Sequence, residues 1–291
     1  MPNSDGEPIL ELKKVGQYDI LAPVGQGGMG RVYKAIDKEK DRIVAIKVLR
    51  REFSEDRKKR RADYLGRENR IASTLDHPNV IDIFEIFEEP DDAGRRQRYL
   101  LMEYIDGVSL RHFIKERDWP LDEGLAMFQD ICKGLDYIHH LGIVHRDVKP
   151  ENFLIAKTNN AVKIADFGLS LDNRSWRTRN IKARTGTPRY MSPEQIAGKN
   201  LDFRSDIFSL GLTMYELFSG TYPFEGADRV AVMKQIMNPR IRIHPPIHFN
   251  HDLPSDLSRI IMKMMRWHPR KRYQMVTEII LEINRITRPR I

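Results

Sequence analysis

The sequence has a single cysteine, no long apolar run and no internal repeat. One cysteine, Cys132, excludes an internal disulfide framework and fits a reducing compartment. No stretch approaches the roughly 18 consecutive apolar residues that a membrane span needs. The N-terminal segment MPNSDGEPILELKK also lacks the apolar core of a signal peptide. We therefore expect a soluble, cytoplasmic chain without a membrane segment, although a domain cut from a longer membrane protein would show the same pattern.

The chain also lacks a balanced charge. Its 49 Lys and Arg residues outnumber 41 Asp and Glu residues, which gives a formal net charge of +8. The excess is concentrated in residues 50–70 and residues 170–190, a pattern that favours acidic partners or phosphate groups. The interleaved aromatic residues of a nucleic-acid stacking platform are absent, so we expect no nucleic-acid partner.

The apolar pattern changes part-way along the chain. Five short runs rich in β-branched and aromatic residues come first, and they read YDILAPV, RVYKAID, RIVAIKVL, VIDIFEIF and RYLLMEY. One helix is predicted among them, from Ser54 to Leu75, with an acidic first turn. After Gly107 the period becomes helical over 121–140, and residues 205–220 are apolar almost all round, as in a buried central helix. The pattern predicts an α+β protein with a small β-rich part before a larger helical part.

A glycine-rich stretch, VGQGGMGRVYKA, contains G-x-G-x-x-G at Gly25, Gly27 and Gly30. Alone, this motif fits a dinucleotide site, an ATP site or a turn without a ligand. A dinucleotide fold would open a helix after the glycines and place an acidic residue about 20 positions on. Here an alternating strand follows Gly30, and Lys47 lies in VAIK beyond it. These flanks exclude a dinucleotide oxidoreductase and predict a β-hairpin that covers phosphates.

Six segments in this order resemble the motifs of a eukaryotic-like (Hanks-type) protein Ser/Thr kinase: VGQGGMGRV, VAIK, HRDVKPEN, DFG, GTPRYMSPE and HPRKR. GQGGMG, SPEQ and RSDIFSLG are similar to the bacterial branch of that family. The resemblance implies a bilobal kinase fold, in which a small antiparallel β-rich N-lobe with one regulatory helix precedes a larger, mainly helical C-lobe. The expected boundaries are an N-terminal extension 1–17, an N-lobe 18–102, a hinge 103–107, a C-lobe 108–285 and a tail 286–291.

The resemblance implies transfer of the γ-phosphoryl group of Mg-ATP to Ser/Thr hydroxyls of proteins, including the activation segment of the chain itself. Asp147 would accept or orient the proton of the attacking hydroxyl, and Lys149 would stabilise the transferring phosphate. Lys149 also indicates serine or threonine acceptors, because tyrosine-specific members usually carry a different loop. Asn152 and Asp166 would ligate Mg²⁺, with Mn²⁺ as an alternative.

The same resemblance implies an ATP site. Lys47 would hold the α- and β-phosphates and pair with Glu68, while Val32 would pack on adenine and Met102 would be the gatekeeper. The implied ATP-binding residues are Val24, Gly25, Gln26, Gly27, Gly28, Gly30, Val32, Ala45, Lys47, Glu68, Met102, Glu103 and Ile105.

Architectural positions are carried over in the same way. Glu194 and Arg272 would form a buried ion pair, and Asp206 would hydrogen-bond the backbone of the catalytic loop. Thr187 would contact Asp147 and Lys149.

Regulation is implied by Arg146 and the basic run 174–189, which suggest an activation segment that a phosphate orders. Thr178 and Thr185 are the favoured acceptors, because Ala183 takes the position of the family's usual phosphothreonine. The candidate hydroxyls are Ser170, Ser175, Thr178 and Thr185. A merely solvated basic loop is an equally open interpretation. The same charges predict a preference for acidic residues near the acceptor, and acidic docking partners.

A pseudokinase that serves as a binding scaffold is the alternative. Loss of Lys47, Asp147, Asn152 or Asp166 would indicate it, and all four are present. The sequence therefore favours an active kinase.

Overall fold

The computed structural model describes residues 12–27, 30–49, 75–91, 94–116, 119–166 and 188–287. These residues divide into two compact units, one within Met1–Asp76 and Asp82–Tyr104, the other within His77–Ile81 and Ile105–Ile291. The division at 104/105 lies within the segment predicted to be a hinge. All of the helix predicted from Ser54 except Leu75 lies outside the described residues, and Leu75 is buried outside any helix.

The first unit is built on a six-stranded antiparallel sheet in the order β1-β2-β3-β4-β6-β5. Its strands are β1 (Lys14–Val15), β2 (Tyr18–Gly27), β3 (Gly30–Asp37), β4 (Arg42–Leu49), β5 (Ile83–Pro90) and β6 (Arg96–Glu103). The five predicted strands are confirmed, except that β5 begins at Ile83 and not at Val80. Val80 and Ile81 belong to the second unit, in which they pair with Ile164.

One face of this sheet carries an apolar cluster. Alternation along each strand sends every second side chain to that face, where burial of each large apolar side chain contributes about 1.5–3 kcal/mol. The cluster consists of Val15, Tyr18, Ala35, Val44, Ile46, Tyr99 and Leu101. Side chains at the intervening positions therefore point to the other face of the sheet.

The second unit is mainly helical. Its helices are α1 (Leu110–Glu116), α2 (Leu121–His140), α3 (Pro193–Ile196), α4 (Phe203–Ser219), α5 (Arg229–Ile236), α6 (Ser255–Met264) and α7 (Val276–Thr287). A three-stranded antiparallel sheet accompanies them, and its strands are β7 (Gly107–Ser109), β8 (Phe153–Ala156) and β9 (Val162–Ile164). Among the described residues, no helix has both the length and the apolar character that a membrane crossing requires.

Helix α4 is the buried central helix that the sequence predicts. Every residue from Ser205 to Ser219 is buried, and α2 and α6 pack against this helix. The Asp202 side chain caps its N-terminus by accepting a hydrogen bond from the Arg204 N–H, and Gly220 ends it with φ of +68°. This helix is a rigid base for the polar side chains described next.

Candidate active site

Three of the predicted catalytic residues meet in the segment His145–Asn152, between α2 and β8. The Lys149 ammonium lies 2.6 Å from Asp147 Oδ2, and the Asn152 side-chain amide donates to the same oxygen at 3.0 Å. The amide also donates to the Asp147 carbonyl at 2.7 Å. Asp147 is therefore held from two sides, with one carboxylate oxygen facing a cation and an amide.

Lys149 keeps its charge in this setting. Burial by itself lowers the pKa of the ammonium, but the charge and hydrogen bond of Asp147 outweigh burial, and the negative charge of Asp166 adds to them. The pKa of Lys149 is raised as a result. The side chain is thus a permanent cation next to the Asp147 carboxylate at neutral pH.

The backbone before Asp147 adopts a left-handed conformation, with φ of +69° at Arg146. Such a conformation costs a non-glycine residue about 1–3 kcal/mol, and it persists only where the surrounding structure imposes it. Here the Arg146 N–H donates to Asp206 Oδ1 at 2.8 Å, and its carbonyl accepts from the Gln195 side chain at 2.8 Å. The His145 N–H donates to Asp206 Oδ2 at 2.7 Å. Asp206, on α4, therefore fixes the backbone that presents Asp147.

His145 links this segment to Ala165, the residue directly before Asp166. Its Nδ1 accepts from the Asp147 N–H at 3.3 Å, so its Nε2 carries the proton and donates to the Ala165 carbonyl at 3.1 Å. The Ala165 N–H in turn donates to the Asn152 carbonyl at 2.8 Å. Asp166 follows Ala165 directly in the chain and has φ of +68°. The hydrogen bonds of Ala165 to His145 and Asn152 therefore fix the position of Asp166 relative to Asn152.

Strand register groups the predicted ATP-binding side chains of the first unit. Val32 pairs with Gly25 and Lys47, and Ala45 pairs with Met102. Cross-strand partners share a face of a sheet, as do residues two apart on one strand. Val32, Ala45, Lys47 and Met102 therefore lie on one face, opposite the apolar cluster. Lys47 is only 3% exposed on that face.

The glycine loop is a hairpin, as predicted. Gly27 pairs with Gly30, and Gly30 is the first residue of strand β3 rather than of a helix. Gly30 has φ of +142°, and a Cβ there would lie 1.8 Å from the Val48 carbonyl oxygen. Among the residues that the structure describes, none would lie within 4 Å of a Cβ at Gly25. Val24 is exposed at the surface of β2.

The predicted hinge begins with a fixed residue. The Glu103 N–H donates to the Asp82 carbonyl at 2.9 Å, and Glu103 Oε1 accepts from the Asp82 N–H at 2.9 Å. Ile105 is partly exposed and belongs to the second unit. Other predicted site residues lie outside the described part of the chain, namely Gly28, Glu68, Thr178, Thr185 and Thr187.

Comparison of the amino-acid sequence with known proteins identifies its family. Residues 18–282 match the family described as "Protein kinase domain". The chain belongs to this family. A probable serine/threonine-protein kinase of Clostridium perfringens is 35% identical over 272 residues, which is 93% of this chain and 38% of that protein. The serine/threonine-protein kinase PknB of Mycolicibacterium smegmatis is 36% identical over 276 residues, and these cover 93% of this chain and 43% of the relative.

A solved structure and a further curated relative are also similar to this chain. The crystal structure of Rad53 1-466 in complex with AMP-PNP superposes with a TM-score of 0.72 at 26% identity, covering 91% of this chain and 64% of that chain. The serine/threonine-protein kinase PrkC of Bacillus subtilis is 34% identical over 272 residues, and the match covers 92% of this chain and 40% of PrkC. The kinase domain thus spans about two fifths of the length of the curated relatives it matches.

Glu194 and Arg272 form a bidentate ion pair in the kinase domain. Arg272 Nη1 lies 2.6 Å from Glu194 Oε1 and Nη2 lies 3.0 Å from Oε2. Ser205 donates its hydroxyl to Glu194 at 2.7 Å. Burial by itself raises the pKa of Glu194, but Arg272 and Ser205 outweigh it, so the pKa is lowered. The pair ties α3 to the loop after α6.

Several polar residues that contact or surround the catalytic segment were not predicted from the sequence. Gln195 belongs to a capping box in which its side chain and that of Ser192 each bond the other's backbone N–H. The spacing Ser-x-x-Gln is a recognisable sequence signal for such a box. Arg111 and Glu216 carried no such signal, because their contacts join distant parts of the chain.

Proposed function

We propose that this chain is an ATP-dependent protein serine/threonine kinase. The observation that supports it most directly is the convergence of Lys149 and Asn152 on one carboxylate oxygen of Asp147. Phosphoryl transfer needs positioning and charge neutralisation more than covalent chemistry, and this cluster provides both. The curated relatives are named serine/threonine-protein kinases, which supports the same assignment.

ATP is the proposed phosphoryl donor. The similar Rad53 structure contains AMP-PNP, a nucleotide of the ATP type. In this chain the face that carries Val32, Ala45 and Met102 offers apolar contacts for adenine, and Lys47 on the same face offers a cation for phosphate oxygens. Gly25 leaves open space where phosphates would approach the backbone.

The donor atoms fit a magnesium ion. Both hydrogen bonds from the Asn152 amide nitrogen go to Asp147, so the amide oxygen points elsewhere. Asp166 adds a carboxylate, and Mg²⁺ prefers oxygen ligands of these two kinds. We assign Asn152 and Asp166 as the residues that hold the ion, with Mn²⁺ as an alternative. When bound, the ion neutralises charge on the phosphate oxygens.

In the reaction, the acceptor hydroxyl oxygen forms a bond to the γ-phosphorus while the bond from that phosphorus to the bridging oxygen of ADP breaks. Asp147 orients the hydroxyl and accepts its proton. Lys149 neutralises negative charge on the transferring group. We include Ser/Thr residues of the activation segment among the acceptors, with Thr178 and Thr185 as candidates, together with acidic docking partners and a cytoplasmic location.

A transfer assay with labelled phosphate tests this function. The chain is incubated with γ-labelled ATP, Mg²⁺ and dephosphorylated casein, and acid hydrolysis identifies the labelled amino acids. We expect phosphoserine and phosphothreonine, and we expect Lys47→Met to lose most of the transfer. Lys13→Met, which changes an exposed lysine of the same unit, serves as the matched control. Label on tyrosine alone, or none with the wild-type chain, would contradict the proposal.

A further inference from the structure

Arg111, the second residue of α1, joins three segments of the second unit. Its Nε lies 2.8 Å from Glu151 Oε1, and its Nη1 lies 2.8 Å from Glu216 Oε1. Its Nη2 donates to the Tyr190 hydroxyl, which in turn donates to Glu216 Oε2. We call these four residues the Arg111 cluster. Each nitrogen of the planar guanidinium is used on a different group or oxygen, an arrangement that a lysine cannot reproduce.

The partners of Arg111 lie beside the catalytic residues. Glu151 stands between Lys149 and Asn152 in the chain. Tyr190 ends the 3₁₀ turn Pro188–Tyr190, three residues after Thr187. The third partner, Glu216, is on the buried helix α4, which also carries Asp206. The Arg111 cluster therefore connects the catalytic segment, the end of the predicted activation segment and the central helix.

Electrostatics make the cluster depend on its cation. Glu216 is buried, and two donors, Arg111 and Tyr190, satisfy its carboxylate. Burial and the charge of Glu216 raise the pKa of Tyr190, so its hydroxyl keeps the proton that it donates. Removal of the guanidinium would leave Glu216 facing the hydroxyl without a positive charge, and would release Glu151 from α1.

A second aromatic residue anchors the same turn. The Tyr222 hydroxyl donates to the Arg189 carbonyl, and the Arg189 guanidinium lies 4.0 Å from the centroid of the Tyr222 ring. The rings of Tyr190 and Tyr222 meet edge to face, with centroids 6.0 Å apart. The turn is thus held through its backbone by Tyr222 and through its Tyr190 side chain by the Arg111 cluster.

We propose that Arg111 is a positioning residue for the protein acceptor. It holds the Pro188–Tyr190 turn at a fixed place relative to Lys149 and Asn152, through Tyr190 and Glu151. The inference rests on the proposed kinase function. Asp147 and Lys149 are the residues proposed to act on the acceptor hydroxyl and the transferring phosphate, so loss of Arg111 alters the alignment of that hydroxyl. The proposed ATP-binding side chains of the first unit are not members of the Arg111 cluster, so ATP binding is expected to change little.

The test compares kinetics of Arg111→Met with the wild-type chain on dephosphorylated casein. We expect the KM for casein to rise and kcat to fall by about tenfold each, while the KM for ATP stays within about twofold. A merely structural role would reduce the active fraction, which lowers apparent kcat and leaves both KM values unchanged. Unchanged KM for casein in a folded Arg111→Met protein would therefore overturn the inference.

Two further variants sharpen the test. Arg111→Lys keeps the charge near Glu216 but loses the fork, so we expect only partial recovery. Tyr190→Phe removes one hydroxyl, and it is the variant to use where Arg111→Met does not fold; we expect its KM for casein to rise by about threefold. An unchanged KM for casein in Tyr190→Phe would also overturn the inference.

Arg259→Met is the matched control. Arg259 is an exposed arginine that pairs with Asp256 and Glu282, and its loss should leave every kinetic parameter unchanged. A wild-type chain that transfers no phosphate would overturn the proposed function together with this inference. An active wild-type chain with a wild-type-like Arg111→Met variant would overturn the inference alone.

Discussion

Asp206 shows how one buried side chain organises a reactive neighbourhood. Its two oxygens accept the backbone N–H groups of His145 and Arg146, and His139 Nε2 lies 2.9 Å from Oδ2. The left-handed backbone of Arg146 is held in place largely by this carboxylate. Asp147 follows directly, so its position depends on a residue about 60 positions away in the chain.

We predict that Asp206→Asn lowers both stability and turnover. An asparagine amide has one acceptor oxygen and turns an NH₂ group towards a backbone N–H, so at least one buried donor loses its partner. The free energy of unfolding should fall by about 2–3 kcal/mol, and kcat should fall with it. Urea unfolding and the casein assay measure the two effects. Asp252→Asn, at an exposed position, is the control, and equal values for both variants would refute the role of Asp206.

Gly25 and Gly30 should respond differently to substitution by alanine. At Gly30 the added Cβ would meet the Val48 carbonyl oxygen, so Gly30→Ala should destabilise the sheet by more than about 2 kcal/mol. At Gly25 the Cβ has open space, so stability should stay within about 0.5 kcal/mol. The KM for ATP should nevertheless rise in Gly25→Ala if phosphates approach this backbone. A normal KM for ATP in Gly25→Ala would remove Gly25 from the proposed ATP site.

The sequence predicts those side chains whose spacing within one segment is characteristic. Asp147, Lys149 and Asn152 belong to a single eight-residue motif, and their convergence follows from its local geometry. Arg111 could not be found in this way, because its partners lie 40, 79 and 105 residues away. Contacts over such separations depend on how whole helices pack, which no local pattern contains.

The short helix α3 is an element whose position depends on polar contacts rather than on length. Four residues form too few internal hydrogen bonds to be stable alone. The capping box of Ser192 and Gln195 orders its N-terminus, and the Glu194–Arg272 pair fixes it to the loop after α6. Arg272 also donates to the carbonyls of Arg204 and Trp267, so one guanidinium joins three segments.

We predict that Arg272→Met lowers the free energy of unfolding by about 3–5 kcal/mol, because it leaves the Glu194 carboxylate buried without a cation. Urea unfolding measures the loss. Arg270→Met, two residues earlier and exposed, should change stability by less than about 0.5 kcal/mol. A loss of similar size in both variants would show that the ion pair does not anchor α3.

The Glu194 pair also predicts a dependence of stability on pH. The pKa of Glu194 in the folded chain lies below its ordinary value of 4.5. A lowered folded-state pKa adds stability that is fully present above the unfolded-state value and is lost as the pH falls through the folded-state value. Glu194→Gln should therefore show a shallower loss of stability than the wild-type chain between about pH 5 and pH 3. Parallel pH profiles from urea unfolding would contradict this prediction.

The predictability of elements follows their length and pattern. Helix α2 begins and ends where its apolar period predicts, and the all-round apolar character of α4 correctly indicated burial. Strand β1 and the sheet of β7, β8 and β9 were not predicted. Their strands have only two to four residues, which is too few for an alternating pattern to appear.

For the chain as a whole, the order of the strand-like and helical patterns predicted the fold class. Strand-like runs followed by helical runs predict an α+β protein, and the ordered motifs narrowed this to the protein kinase family. The curated relatives are more than twice as long as the matched region.

The most direct test of the proposed kinase activity is the rate of phosphate transfer from labelled ATP to casein by Asp147→Asn. The variant keeps the size of the side chain and removes the carboxylate that would accept the proton. We predict a loss of about 10²–10⁴-fold in kcat with the KM for ATP within about twofold of the wild-type value, while Asp252→Asn keeps full activity. Transfer by Asp147→Asn at the wild-type rate would contradict the assignment of Asp147 as the catalytic base.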